Sequence, residues 1–463
     1  MRNNNLKDNP SPCPLPQGAR ETATKGESFE TAFLNRFPKF GVNKSREIIR
    51  LIFETAKRDG LSPEAILSSI KETDYESVKN ALLKRRYPQT FQKTSLNSFY
   101  LPKYDINPEL KADNTNRNFY PKNIYFEKEA QNSFVYDNLE SLFPSAVFTE
   151  ILSLKDFMRN LRVGIKGYNN RNDNLFLVKE KYDFFKKCPC TSGVVNCGYS
   201  IMNLGMGCPY ECSYCFLQGY QNIPGIVIPY NIDDYLTEEK IVSNTKGFFD
   251  YKRIGSGEFT DSLVFDHITG FSKQITDFFK KHNDIMFEFK TKSVNIKNLI
   301  ESGGQENIVA AWSVNSLKMA EENEFKAASM HERLNAAKKC ADAGFSTAFH
   351  FDPVIFYDDW KNGYKETVDM IFDTVPEKSI KWISIGTLRM PAAQKTVIEN
   401  RFPENSLLDG ELILGQDYKL RYHKDLRIEM YKTIIEAIKS KKTKTAVYLC
   451  MEEKEVWKET INN

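Results

Sequence analysis

Residues 205–219 read Gly-Met-Gly-Cys-Pro-Tyr-Glu-Cys-Ser-Tyr-Cys-Phe-Leu-Gln-Gly, and this stretch decides the fold. Its three cysteines, Cys208, Cys212 and Cys215, stand at i, i+4 and i+7 directly after an apolar run over 199–205. Three thiolates at that spacing in one short loop can converge on a single inorganic cluster and bind three irons of a [4Fe–4S] cubane. The fourth iron is then left without a protein ligand. An open iron can chelate the amino and carboxylate groups of a cofactor and set its sulfonium beside the reduced cluster. One electron then breaks a C–S bond and releases an adenosyl radical, chemistry that the cofactor supplies and the protein positions. The competing readings are a zinc site with a distant fourth ligand, and reduced thiols in a packed loop. Zinc knuckles favour two C-x2-C pairs, and no second pair follows Cys215. Gly205 and Gly207 ahead of the triplet, and Tyr214 and Phe216 on either side of Cys215, fit a loop wrapped round a cluster.

Outward from the triplet, short apolar runs alternate with helical stretches. Strands are expected over 199–205, 250–256, 285–290, 308–314, 346–355 and 381–387, and helices over 237–248, 267–281, 294–302, 329–343 and 361–374. Such alternation makes βαβ units and a parallel sheet. Six units fit an α/β fold, a partial (β/α)6 barrel open on one side, with function at the strand C-termini. A further helix over 425–439 and an apolar VYLCM strand follow.

Four segments are expected along the chain. Residues 1–40 read as a disordered tail, 41–93 as a small helical extension, 94–120 as a proline-broken linker and 121–463 as the catalytic domain. In the extension, apolar spacing places helices at 44–57, 62–72 and 75–86, with Ser62-Pro63 as N-cap and first-turn proline. Its Lys84-Arg85-Arg86 run could touch phosphate, or could be a solvated face.

A chain of 463 residues can bury one large core plus an appendage. With 64 basic and 61 acidic residues the charge is nearly balanced, which does not demand a nucleic-acid partner but leaves room for a local basic face. No apolar window is long enough for a membrane span, and the polar first 30 residues lack the apolar stretch of a signal peptide. A cytoplasmic protein is expected. Nine cysteines, an odd count, argue against a disulfide framework. Cys188, Cys190 and Cys197 form a second group upstream of the triplet. With no obvious fourth ligand they make a poor metal site, and reduced structural thiols are the simpler reading; a hydrogen donor or a second metal centre are the alternatives. His350, Asp352, Arg389, Asp261, Asp266 and His267 could line a substrate cavity at the strand ends. Arg389, Arg421 and Arg427 could bind a phosphate or carboxylate, or sit in ordinary ion pairs.

Several blocks resemble the radical SAM superfamily and, within it, the spore photoproduct lyase family. They are GCPYECSYCFLQ at 207–218, RIGSGEFTDSLVFDHIT at 253–269, FEFKTKSVNIKNLI at 287–300, AAWSVNS at 310–316, RLNAAKKCADAGF at 333–345, FHFDPVIFYDDWKNGY at 349–364 and SIGTLRMP with VIENRFP over 384–403. The resemblance runs over roughly 120–460. It implies a [4Fe–4S] cluster, S-adenosylmethionine, an electron donor of flavodoxin or ferredoxin type, and a lyase that could act on a DNA lesion. It also implies roles for single residues. Ser313 would hold the cofactor's methionine end, Lys292 (with Lys290 as rival) would meet its carboxylate, and Thr260 would reach its amine. Tyr214 would stand in the active site. Glu258, in Ser256-Gly257-Glu258, resembles an element that binds the cofactor's ammonium.

Two positions depart from the pattern. Where the family carries a hydrogen-donating cysteine this chain has Glu258, and where it carries a second tyrosine it has Phe216. A phenylalanine has no labile O–H, and a carboxylate cannot give up a hydrogen atom as a thiol can. The hydrogen source is therefore different, or the substrate is RNA, a peptide or a small molecule. A non-catalytic zinc or nucleic-acid-binding module is the third reading.

Overall fold

The computed structural model describes residues 28–115, 117–181, 185–191, 193–237 and 251–461. The helix expected over 237–248 lies outside the described residues apart from Thr237, as does most of the expected tail. The chain divides into two compact units, residues 1–111 with 395–414, and residues 112–394 with 415–463.

The larger unit holds thirteen strands used below. In chain order they are β1 (Asn123–Glu127), β2 (Val147–Ile151), β3 (Asn174–Val178), β4 (Phe185–Lys187), β5 (Tyr199–Met202), β6 (Glu211–Cys212) and β7 (Ile226–Pro229). They continue with β8 (Lys252–Ser256), β9 (Ile285–Thr291), β10 (Ile308–Ser313), β11 (Glu324–Phe325), β12 (Ser346–Val354) and β13 (Ile380–Thr387). An eight-stranded sheet runs from an edge strand, Ala446–Leu449, through β13, β12, β10, β9, β8 and β5 to β4. Every pairing in it is parallel except β4 with β5. Continuous apolar runs such as Ile308–Ser313 form these strands because helices cover the outer face and the barrel interior faces the other, so both are buried. The expected α/β partial barrel is therefore present, with all six expected strands within two or three residues of their limits. Its open side is crossed by a short seam, where Val194 bridges Glu453 and the Val195 N–H donates to the Glu452 carbonyl oxygen at 2.9 Å.

The helices follow local signals. Met330–Asp342 starts at a capping box in which Ser329 and Glu332 satisfy each other's backbone N–H groups. The helix expected over 267–281 is instead two, Asp266–Thr269 and Phe271–Phe279, because Gly270 between them takes a φ of +61°. A second sheet, order β2-β1-β3-β7 and parallel throughout, is absent from the sequence reading. Its strands are only four or five residues long, and although β3 and β7 are apolar and buried, β2 is largely exposed, so the apolar signal is uneven across the set.

The smaller unit contains Val42–Asp59, Pro63–Ser69 and Tyr75–Arg86, close to the three expected helices. Two boundaries are corrected. The end of the expected tail is a helix, Phe29–Arg36, capped by Ser28, with Phe29, Phe33 and Phe37 buried at helical spacing. The expected linker is within this unit as far as residue 111. The basic run is also not a free face, since Arg86 is buried and Arg85 pairs with Asp59 at 2.8 Å.

Candidate cluster and cofactor site

The cysteine loop leaves β5 through two glycines with positive φ, Gly205 at +144° and Gly207 at +95°. At Gly205 a Cβ would stand 2.4 Å from the Val227 carbonyl oxygen. The approach is that close because Met206 and Val227 exchange backbone hydrogen bonds of 3.0 and 2.8 Å. Arg171, fully buried, fixes the next turn. Its Nε donates to the Cys208 carbonyl oxygen at 2.8 Å, Nη2 to that of Tyr210 at 2.6 Å, and Nη1 to Glu211 Oε1 at 2.8 Å and the Tyr168 carbonyl oxygen at 3.0 Å. Beyond it β6 pairs antiparallel with β11, setting Cys212 opposite Glu324. Ser213 Oγ donates to Asn323 Oδ1 at 2.6 Å, and Gln394 Nε2 to the Cys215 carbonyl oxygen at 2.9 Å. The loop is held from several directions by residues that sequence reading does not pick out.

Burial raises the Cys208 thiol well above its ordinary value, and the nearby Asp261, Cys215 and Cys212 raise it further. Burial raises Cys212 as well, against which the Lys292 ammonium acts. Thiols of one loop that feel one another yet resist ionisation unaided suit a cationic partner, which deprotonates coordinating thiols outright. Among the described residues no three His, Cys, Asp or Glu side chains gather tightly enough to hold a single metal ion. A cubane asks for a wider spread, since each thiolate takes a different iron. The donor set fits the cluster better than it fits zinc.

Four of the expected site residues lie in or near this loop. The Lys292 backbone N–H donates to Asp261 Oδ2 at 2.7 Å, and its ammonium lies 5.7 Å from the centre of the Tyr214 ring. Tyr214 donates its hydroxyl to Glu324, which is paired with Arg333 at 2.5 Å. Arg333 Nη1 donates in turn to the Ser313 carbonyl oxygen at the end of β10, at 3.1 Å. One buried network thus joins Tyr214, Lys292 and Ser313 to the cysteine loop. Thr260 Oγ1 is buried with no partner among the described residues, an orphan of the kind a bound ligand satisfies. The rival Lys290 acts on Asp352, His350 and Cys450 instead.

Glu258 stands apart from that network. Its carboxylate is paired with Lys186 of β4, whose ammonium lies 4.4 Å from the centre of the Phe259 ring. Phe259 belongs, with Tyr168 and Leu217, to the small apolar cluster against which Cys208 and Cys215 pack, so the pair borders the loop. The expected ammonium partner is therefore supplied by the protein itself. Phe216 is 42% exposed and meets Tyr220 edge-on at 6.1 Å, while Tyr220 stacks on Phe259 at 5.3 Å.

The sequence profile described as spore photoproduct lyase matches residues 189–450, more than half of the chain. The chain belongs to the spore photoproduct lyase family. It is 26% identical over 301 residues to the spore photoproduct lyase of Geobacillus sp., which covers 62% of this chain and 84% of that protein. It is 25% identical over 208 residues to that of Clostridium acetobutylicum, covering 44% of this chain and 61% of the relative, so under two thirds of that relative's length is matched. A solved spore photoproduct lyase variant with dinucleoside spore photoproduct has a TM-score of 0.60 at 22% identity, covering 72% of this chain and 99% of that one. That likeness establishes the shared fold. Members of the spore photoproduct lyase family are radical SAM lyases that use a [4Fe–4S] cluster and S-adenosylmethionine, as the resemblance implied.

Within this spore photoproduct lyase fold the barrel's other polar residues find partners in one another. Glu288 of β9 accepts from His350 Nε2 at 2.7 Å, from Trp382 Nε1 at 2.9 Å and from the Tyr199 hydroxyl. His350 Nδ1 accepts from Ser384 Oγ at 2.6 Å. Of the two readings open for His350, substrate contact and satisfied core residue, the structure selects the second, since both ring nitrogens have partners. Arg389 pairs with Asp352 at 3.0 Å, Arg427 with Glu452 at 3.1 Å, and Arg421 with Asp417. Asp261 accepts from Thr291 Oγ1 at 2.5 Å, Asp266 from Ser272 Oγ at 2.6 Å, and His267 Nδ1 contacts Asn295 at 2.9 Å. For the arginines, internal ion pairs are what the structure selects.

Proposed function

We propose that this chain cleaves S-adenosylmethionine reductively at a cluster held by Cys208, Cys212 and Cys215, and turns the product radical to a lyase reaction on a DNA lesion. The observation that carries the reading is the buried network from the cysteine loop through Tyr214, Glu324 and Arg333 to Ser313, with Lys292 over the Tyr214 ring. The cluster and cofactor, when bound, supply the electron transfer that breaks the C–S bond. The protein's own part is placement. Lys292 offers an ammonium to a carboxylate, Thr260 an unsatisfied hydroxyl, and Ser313 a strand-end hydroxyl. Tyr214 fixes the loop through Glu324 and so acts as a positioning residue. A cytoplasmic setting and an electron donor of flavodoxin or ferredoxin type belong to the same proposal; among the described residues no helix is long and apolar enough to cross a membrane.

The Lys186–Glu258 pair and Phe216 favour a second reading of the substrate. Neither group can pass on a hydrogen atom, so the radical generator is retained while its target or its hydrogen source differs. One anaerobic assay separates the two. Reduced, cluster-loaded protein given S-adenosylmethionine should release 5′-deoxyadenosine, and none with an intact cluster rejects the radical reading. Lys292→Met should raise the cofactor concentration needed. On ultraviolet-irradiated DNA, clean loss of spore photoproduct supports the lesion reading, and no loss with 5′-deoxyadenosine still released supports another substrate.

A further inference from the structure

Four thiols outside the cluster loop meet at the barrel seam. Cys188, Cys190 and Cys197 come from the segment between β4 and β5, and Cys450 follows the edge strand Ala446–Leu449. The seam brings them together, since Val195 pairs with Glu452 and the Cys450 N–H donates to the Ile385 carbonyl oxygen at 2.8 Å. Both Cys197 and Cys450 lie close enough for their charges to act on Cys188. All four are reduced and partly exposed, unlike the buried Cys340. Two of them touch, with Cys190 Sγ 3.6 Å from Cys188 Sγ.

Two cations stand near the thiols, one of them, Arg389, paired with the Asp352 carboxylate that also acts on Cys450. Arg389 Nη2 lies 3.7 Å from Cys450 Sγ, and Lys419 Nζ donates to Thr191 Oγ1 at 2.6 Å, one residue beyond Cys190. The hydrogen bond shared with Cys188, followed by Arg389 and Lys419, brings the Cys190 thiol down to about 7 against the pull of burial. The same hydrogen bond, with burial, pushes Cys188 up. Arg389 and Lys419 favour a thiolate at Cys190, and Cys188 Sγ stands within reach of it, the arrangement that thiol–disulfide exchange uses.

We propose that Cys188 and Cys190 form a second, redox-active site, a dithiol that exchanges with low-molecular-weight disulfides and closes to a disulfide across Pro189. In the first step the Cys190 thiolate attacks one sulfur of the small disulfide. That S–S bond breaks, a mixed disulfide forms on Cys190, and one small thiolate leaves. Cys188 then loses its proton, and its thiolate attacks Cys190 Sγ. The Cys188–Cys190 bond forms and the second small thiolate leaves. Two electrons and two protons pass from the dithiol to the small disulfide, which departs as two thiols. A reducing dithiol runs the sequence backwards.

The test uses the cluster-loaded full chain, equilibrated anaerobically across a series of reduced-to-oxidised glutathione ratios, then alkylated and mapped by mass spectrometry. The expected result is a single two-electron transition in which Cys188 and Cys190 lose alkylation together as one intrachain disulfide. In Cys188→Ser the same titration should trap a glutathione adduct on Cys190, and Cys340→Ser should change nothing. Thiols that stay alkylatable at every ratio overturn the proposal, as does a disulfide to Cys197 or Cys450 instead. Zinc, or iron beyond the four of the cluster, that disappears in Cys188→Ser and Cys190→Ser also overturns it, because the quartet would then be a metal site.

Discussion

Arg171 shows how much of this site rests on single residues that carry no motif. It lies 37 residues before Cys208 and outside the family match, yet its guanidinium holds Cys208, Tyr210 and Glu211. A lysine keeps the charge and loses the fork, so it cannot satisfy those acceptors at once. Arg171→Lys should lower Tm and cut iron bound per chain, read by metal analysis and the cluster's visible absorbance; full iron loading would show that the fork is dispensable. Glu288 gives a second residue-scale expectation. Burial alone would raise its carboxyl, but His350, Arg253 and Tyr199 outweigh burial and bring it from 4.5 down to about 2. A carboxyl lowered on folding contributes stability that is complete above its unfolded value and is lost as pH falls through its folded one. The window is therefore pH 4.5 down to about 2. His350 is pulled below 6.5 by burial, so it also costs stability on acidification, beginning below that value. Glu288→Gln should be less stable near neutrality and flatter through the acid window, checked by urea midpoints across that range. An unchanged acid limb would mean that other groups carry it.

At the scale of elements, sequence and structure agree where the signal is local. The triplet's spacing, the six strand runs and the Ser62-Pro63 helix start each depend on neighbours within a few residues, and each is present. Disagreement begins where an element is defined by a distant partner. In the second sheet β2 is largely exposed and is defined by its pairing with β1, and the His350 side chain is explained by Ser384 and by Glu288, the latter 62 residues away and next-but-one in the sheet. Of the candidate site residues, Tyr214 lies under the Lys292 ammonium and is joined through Glu324 and Arg333 to the Ser313 carbonyl oxygen, whereas the Lys186 partner of Glu258 could not be read from either segment. The cysteine loop itself offers an element-scale test. Gly205 cannot take a side chain without meeting the Val227 carbonyl oxygen, and its φ is one that L residues avoid. Gly219, at the other end of the same stretch, faces open space. Gly205→Ala should therefore depress cluster loading and Tm, while Gly219→Ala leaves both near the parent values. Equal loading in the two variants would show that the loop can leave Val227 without losing its ligands.

On the scale of the whole molecule, the feature no local reading could find is that residues 395–414 complete the smaller unit. By sequence they are expected in the catalytic domain, because apolar spacing says nothing about which core a segment enters. The reason lies in buried charge. Arg50 Nη1 donates to Glu399 Oε2 at 2.9 Å, Lys395 Nζ to Glu54 Oε1 at 2.8 Å, and Arg86 Nη2 to the Leu408 carbonyl oxygen at 2.8 Å. Arg50, Glu54 and Arg86 are all buried. Taking away one partner of a buried pair costs about 3–5 kcal/mol, because the remaining charge is left in a poor solvent. A small helical unit has about 5–15 kcal/mol of stability at most, so losing Lys395, Glu399 and the Leu408 carbonyl together should exceed what it can bear. A fragment of residues 28–111 should then show helical content without a cooperative melt. The same fragment joined to residues 395–414 through a flexible Gly/Ser linker should melt cooperatively, and Glu399→Gln in that fusion should lower its Tm. Circular dichroism on the three proteins checks the chain of reasoning. A cooperative melt from 28–111 alone would mean that its apolar core, around Ile48, Leu51 and Leu83, suffices and that the returning segment is only attached to it.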